Sequence, residues 1–187
     1  SVQGKSFLVI GPWSHGSTNR EQGEVIFPED ADDDYYSPLL EDFIDHYLLN
    51  LDTGLHYEPT VRYYCMGPTY AGAYGNFWRT SSQWPIAANE TNFYLHSNGT
   101  LSTTEPLVSS ASLNYLYEPT NPIPTLGGGH LFLPSGPFDQ QGLESRSDTL
   151  IFTTEPLVNY KEVTGQMSAH LWVSSNSHSS SRKIRFF

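Results

Sequence analysis

"TVRYYCM", residues 60–66, is a short run of β-branched and aromatic side chains and reads as a strand. Four further runs of the same texture follow: "NFYLHS" (92–97), "SLNYLYE" (112–118), "DTLIFTT" (148–154) and "QMSAHLWVSS" (166–175). Clusters of Pro, Gly and Asn separate them, and no second amphipathic helix interrupts the series. Such spacing predicts a mainly β architecture, an antiparallel sandwich or jelly roll. The composition agrees: 13 Pro and 15 Gly make a turn-rich chain, and only 16% of residues are charged while 14% are aromatic. "TTEPLV" occurs at 103–108 and again at 153–158. The unlike flanks of the two copies argue for similar turn entries rather than a repeat.

Upstream of residue 57 the texture differs. "SPLLEDFIDHYLLNLDTG" (37–54) is the one clear helix, because Leu39, Leu40, Phe43, Ile44, Tyr47, Leu48 and Leu51 fall on one stripe at helical period. Ser37 suits the N-cap, Pro38 the first turn, and Gly54 closes the segment. "KSFLVIGP" (5–12) reads as a buried strand ended by Gly-Pro. Between them, "EDADDD" (29–34) predicts a solvated loop carrying Asp30, Asp32, Asp33 and Asp34; a calcium site is the minor alternative, without the Gly spacing of an EF-hand. At 187 residues the chain is long enough for one large domain or two small ones. The change of texture puts a boundary near residues 52–58.

Charge and cysteine content exclude some classes. A net charge of −11 repels phosphate backbones, so no nucleic-acid partner is expected. No apolar run approaches the roughly 20 residues of a membrane span, so no membrane partner is expected either. The N-terminus lacks the basic and apolar regions of a signal peptide and enters a strand at once, as an internal piece of a longer chain would. The single cysteine, Cys65, allows no internal disulfide and reads as a buried structural thiol. "NET" at Asn89 and "NGT" at Asn98 are weak glycosylation sequons.

Seven histidines stand at 15, 46, 56, 96, 130, 170 and 178. No pair has zinc-ligand spacing, so neither a metal site nor a cofactor is expected. His46 lies at the edge of the helical stripe, and His96 and His170 lie within strands, all ordinary structural positions. His15 differs, since it follows a strand directly on a loop, "GPWSHG" (11–16), where catalytic side chains cluster in open α/β sheets. Position alone still favours an ordinary loop hydrogen bond for it. Ser14 is no nucleophile: the G-x-S-x-G elbow is absent, and a residue adjacent to His15 is poorly placed to reach the imidazole.

Six stretches occur in one order: "LVIGPWSHG" (8–16), "FIDHYL" (43–48), "VRYYCMG" (61–67), "FWRTSSQWP" (77–85), "YEPTNPIPTLGGG" (117–129) and "SRSDTLIFTTEPL" (145–157). Together, from about residue 5 to about 174, they resemble the C-terminal part of the cocaine esterase and X-Pro dipeptidyl-peptidase family of serine hydrolases, a group that also holds α-amino acid ester hydrolases and glutaryl acylases. The resemblance implies two parts. Residues 1–54 would be the last strand and helix of an α/β-hydrolase domain, the helix packing its stripe on the sheet. Residues 55–187 would be a galactose-binding-like jelly-roll β-sandwich. It further implies that His15 is the general base of a Ser-His-Asp triad whose Ser and Asp lie outside this chain. Trp13 and Ser14 share the motif with no assigned role. Glu118 stands where the family usually has Asp. Pro122, Pro124 and Gly127–Gly129 suit a rigid loop, and Arg146 with Asp148 an internal salt bridge. The family pattern ends before "NSHSSSRKIRFF" (176–187), a Ser-rich and then basic end.

The expectation is therefore a hydrolase fragment, inactive alone, whose parent takes a small ester, amide or peptide substrate and could form a homo-oligomer. The alternative is a non-catalytic module that binds carbohydrate on Trp78, Trp84 and Trp172, or that shapes an active-site rim and a dimer.

Overall fold

Tyr64 and Trp78 face each other across an antiparallel pair, and much of the fold is organised around them. In a computed structural model, which describes residues 6–107 and 111–176, strand β4 (Val61–Cys65) pairs with β5 (Phe77–Ser81) in the register Val61↔Ser81 to Cys65↔Phe77. Strand β1 (Leu8–Ile10) pairs with β4 in parallel, Leu8 opposite Val61 and Ile10 opposite Tyr63, giving the sheet order β1-β4-β5. Two small hairpin sheets complete the described set. They are β2 (Glu21–Gln22) with β3 (Val25–Ile26), and β6 (Tyr94–Leu95) with β7 (Leu101–Ser102). Helix α1 (Ser37–Leu48) and the one-turn α2 (Gln141–Glu144) are the α-helices among the described residues. The described chain is mainly β and irregular, with small sheets.

The buried cluster holds Phe27, Ala31 and Tyr64, with Val25 and Trp78 packed against it. Aromatic pairs fix its geometry: Tyr64 meets Trp78 edge-on at 5.3 Å, Phe27 meets Tyr64 edge-on at 5.9 Å, and Tyr35 stacks flat on Trp78 at 4.0 Å. The indole Nε1 of Trp78 donates to the Asp30 carbonyl at 2.6 Å. Burial, with the Asp30 carboxylate beside it, raises the Tyr64 phenol above its ordinary value. Its hydroxyl donates to Asp30 Oδ1 at 3.3 Å.

Several expectations need correction. The acidic stretch is no plain solvated loop: Glu29–Ala31 and Asp33–Tyr35 are 3₁₀ turns, the second capped by Asp32 Oδ1 accepting from Asp33 N–H. Tyr36, not Ser37, precedes the first residue of α1 and makes no side-chain cap, although Pro38 does occupy the first turn. The helical stripe is only partly covered. Phe43 meets Phe7 edge-on, but Leu40, Ile44, Tyr47, Leu48 and Leu51 are exposed. β1 is an edge strand flanked on one side by β4, so it is half-exposed rather than buried.

Residues 112–118, 148–154 and 166–175 carry strand-forming side chains yet form no ladder, since a strand exists only with a hydrogen-bonded neighbour. The exception is a single bridge between Thr100 and Thr153, held by Leu101 N–H to Thr153 O and Thr153 N–H to Gly99 O, both at 2.9 Å. Large apolar side chains stand exposed among the described residues, Trp172, Val158 and Phe132 among them.

Other expectations hold. Arg146 grips Asp148 with two parallel bonds of 2.8 and 2.7 Å and donates to the Asn121 carbonyl at 2.8 Å. Glu118 closes a local turn: its carboxylate accepts from the Thr120 hydroxyl at 2.8 Å and from Thr120 N–H at 3.2 Å. These bonds hold it below the usual carboxylate range. Cys65, expected to be buried, is only half-buried in β4; desolvation there, with the Glu162 carboxylate nearby, still pushes its thiol up and away from reactivity.

Candidate active-site loop

The motif "GPWSHG" makes sense residue by residue once its neighbours are known. A side chain on Gly11 would collide with the indole of Trp13, so the glycine makes room for that ring. Pro12 is buried. Trp13 packs against Tyr36 at 5.4 Å and Trp78 at 5.7 Å, and its Nε1 donates to the Ala31 carbonyl at 2.6 Å. The loop leaving β1 is thereby pinned to the main aromatic cluster.

Ser14 is pinned as well. Its N–H and its hydroxyl both donate to Gln22 Oε1, at 2.8 and 2.7 Å. Ser135 Oγ donates to Ser14 Oγ at 3.0 Å. A hydroxyl so committed is not offered to an imidazole, in keeping with its exclusion as nucleophile. The chain then makes a four-residue turn, Ser14 to Ser17, with Gly16 at φ +85°, the left-handed value that a type II turn requires in its third place. His15 is the second residue of that turn. It stands exposed at the tip, and among the described residues no side chain or carbonyl partners its ring.

Gln22, which the sequence did not mark, is the hub beneath this turn. It is 1% exposed and sits in the β2–β3 hairpin. Its Nε2 donates to Asn19 O at 2.7 Å and lies 3.4 Å from Ser17 O. The available signal was the hairpin itself: Gly23-Glu24 between "EQ" and "VI" is a two-residue turn with Gly in its first place. Nothing in the sequence indicates that the polar Gln22 faces inward.

The segment 135–139 closes the far side. Glu24 N–H donates to Pro137 O at 2.9 Å, and Asp139 N–H donates to Glu24 Oε2 at 2.8 Å. The backbones approach so closely that a Cβ on Gly136 would lie 2.6 Å from Gly23 N. Gly136 and Gly128 also exchange two backbone bonds, of 2.7 and 3.0 Å, which ties this segment to the expected rigid glycine loop.

Two other histidines take structural places. His46 Nδ1 lies 3.1 Å from Leu51 O, and His96 Nε2 lies 3.0 Å from Thr104 O. His178 and the rest of the stretch 177–187 lie outside the described residues. Trp78 is not a free stacking platform: Tyr35 covers its face and its Nε1 is committed to Asp30, whereas Trp84 and Trp172 are exposed. A cleft of about 350 Å³ lies between β1 and α1, lined by Phe7, Leu8, Tyr36, Leu39 and Phe43, and His15 is not part of it. Among the described residues no group of three or more His, Cys, Asp or Glu is placed to hold a metal ion. No helix there is long and apolar enough to cross a membrane.

Residues 53–182 match the X-Pro dipeptidyl-peptidase C-terminal non-catalytic domain. The chain is 35% identical over 183 residues to the cocaine esterase of Rhodococcus sp. (strain MB1 Bresler), an alignment covering 90% of the chain and 30% of that enzyme. It is 29% identical over 181 residues to a protein of Mycobacterium bovis named "Putative serine esterase", covering 92% of the chain and 26% of that protein; a Mycobacterium tuberculosis protein of the same description matches equally well. The chain thus spans less than a third of the length of these relatives. It belongs to the cocaine esterase and X-Pro dipeptidyl-peptidase family of hydrolases, and it carries that family's C-terminal, non-catalytic β domain.

Proposed function

We propose that this chain supplies the general base, His15, to a serine hydrolase that cleaves esters or amides through an acyl-enzyme. The nucleophilic Ser and the triad Asp lie in sequence beyond these 187 residues. His15 would take the proton from the Ser hydroxyl as it attacks the carbonyl, then return it to the leaving group. One observation carries the reading: Trp13 and Ser14, the side chains leading up to His15, are tied into the fold, while its imidazole alone is presented free at the tip of the turn. Residues 1–54 would form the end of the hydrolase domain and residues 55–187 a jelly-roll domain of galactose-binding-like type. The family match beginning at residue 53 supports that division. The parallel pairing of β1 with β4 runs across it.

The test is hydrolysis of a short-chain p-nitrophenyl ester. This chain alone is expected to release no p-nitrophenol above background, because two triad members are absent. Turnover that a serine-directed phosphonate abolishes would overturn the assignment. In the longer protein, His15→Ala is expected to abolish acylation, and an unchanged rate would remove His15 as the base.

A second reading, a binding or dimerisation module, is favoured by the exposure of Trp84 and Trp172. Saturable binding to an oligosaccharide panel, lost on Trp84→Ala or Trp172→Ala, would support it.

A further inference from the structure

We infer that Gln22 is a positioning residue for His15, and that Ser135 extends its hold to the C-terminal domain. The inference rests on His15 being the base. A side chain without partners is aimed only by its backbone, and the backbone of the turn from Ser14 to Ser17 is weakly closed: its own Ser17 N–H to Ser14 O bond is 3.4 Å long. The Gln22 amide supplies the closure. It accepts two bonds from the residue before His15 and donates to Asn19, on the far side of the turn. Both acceptor positions of Oε1 are filled. Being 1% exposed, Gln22 offers water no route to substitute for these bonds. The Ser135 hydroxyl caps the same network from the 135–139 segment, whose backbone is held against the β2–β3 turn by the Glu24 and Pro137 bonds. The direction of the imidazole is therefore set partly by a domain that holds no catalytic group of its own.

A misplacement of about 1 Å at a reacting group costs about 100-fold in rate. In the longer protein, Gln22→Met is expected to lower kcat and kcat/KM equally, by about 10- to 100-fold, with KM within about twofold of wild type. Gln22→Glu gives a second readout. The introduced carboxyl still accepts from Ser14, but it can donate to the Asn19 carbonyl only while protonated, and burial raises its pKa. Its kcat is expected to decline on the alkaline side, where the wild-type profile is expected to stay flat. Ser135→Ala is expected to lower kcat about two- to fivefold, less than the loss on Gln22→Met, because it removes one bond of the network. His15→Ala, assayed in parallel, separates the two ideas. If that variant keeps its activity, the base assignment fails. If it is inactive while Gln22→Met turns over at the wild-type rate, only the positioning role is overturned. If Gln22→Met does not fold, Gln22→Glu decides alone: a pH profile parallel to wild type overturns the role, and an alkaline decline supports it.

Discussion

Around His15, the bonds that shape the turn run almost wholly within the chain. Gln22, Ser14 and Ser135 satisfy one another's polar groups, and where Gly136 meets Gly23 there is no room for an added methyl. In residues 147–176 the situation is reversed. Strand-forming side chains lie along a backbone with almost no ladder partners, and Trp172 is 95% exposed. The difference teaches which demands a chain can meet locally. Hydrogen bonds and close backbone packing need a few residues correctly placed, whereas an apolar face needs an opposing surface of its own size. Helix α1 sides with the second region, its stripe formed correctly but mostly uncovered.

The largest effect should come from the buried cluster. Phe27 is 2% exposed, so Phe27→Ala is expected to cost about 3–5 kcal/mol. Trp172→Ala should change stability by less than about 0.5 kcal/mol despite removing a larger side chain. Urea unfolding of the two variants checks this, and equal costs would break the contrast. Next come two glycines. Gly136→Ala is expected to cost about 1–3 kcal/mol through crowding against Gly23. Gly129→Ala, with nothing within 4 Å of the new methyl, should stay within about 0.5 kcal/mol. A smaller effect sharpens the account of the 147–176 region. Asp148, hydrogen-bonded by Arg146, has its folded carboxyl pKa held below the usual value. Its stabilisation is therefore complete above the unfolded pKa of about 3.9 and is lost as pH falls through the lower folded value. Between pH 5 and 2 the wild-type chain should lose more stability than Arg146→Lys, measured by thermal unfolding at each pH.

What the sequence made legible was mostly local. The β4 run and the Arg146–Asp148 pair depend on neighbours a few residues away, and each appears where the pattern put it. Helix α1 starts as expected but ends at Leu48, and Gly54, expected to close it, instead leads into a 3₁₀ turn, Leu55–Tyr57. The placement of His15 on a loop after a strand was equally readable. Its scaffold was not, because the Ser14–Ser135 bond joins residues 121 apart and no local pattern reports such a meeting. Trp78 failed as a stacking platform for the same reason: Tyr35 and Asp30 come to it from the other side of α1 in sequence. Strand propensity at 112–118, 148–154 and 166–175 was read correctly as texture and wrongly as paired strands, since propensity cannot supply a partner.

The Gly23–Gly136 contact has a bearing on inheritance. A Cβ on Gly136 would meet the hairpin at the Gly23 backbone, and a Cβ on Gly23 would meet the Pro137 carbonyl and the Phe138 ring, so a side chain at either position needs the two segments to move apart. Relatives that keep one of these glycines should keep both, and lineages that lose them should lose them together. A covariation signal would then link the histidine-bearing half of the chain to the half that follows it.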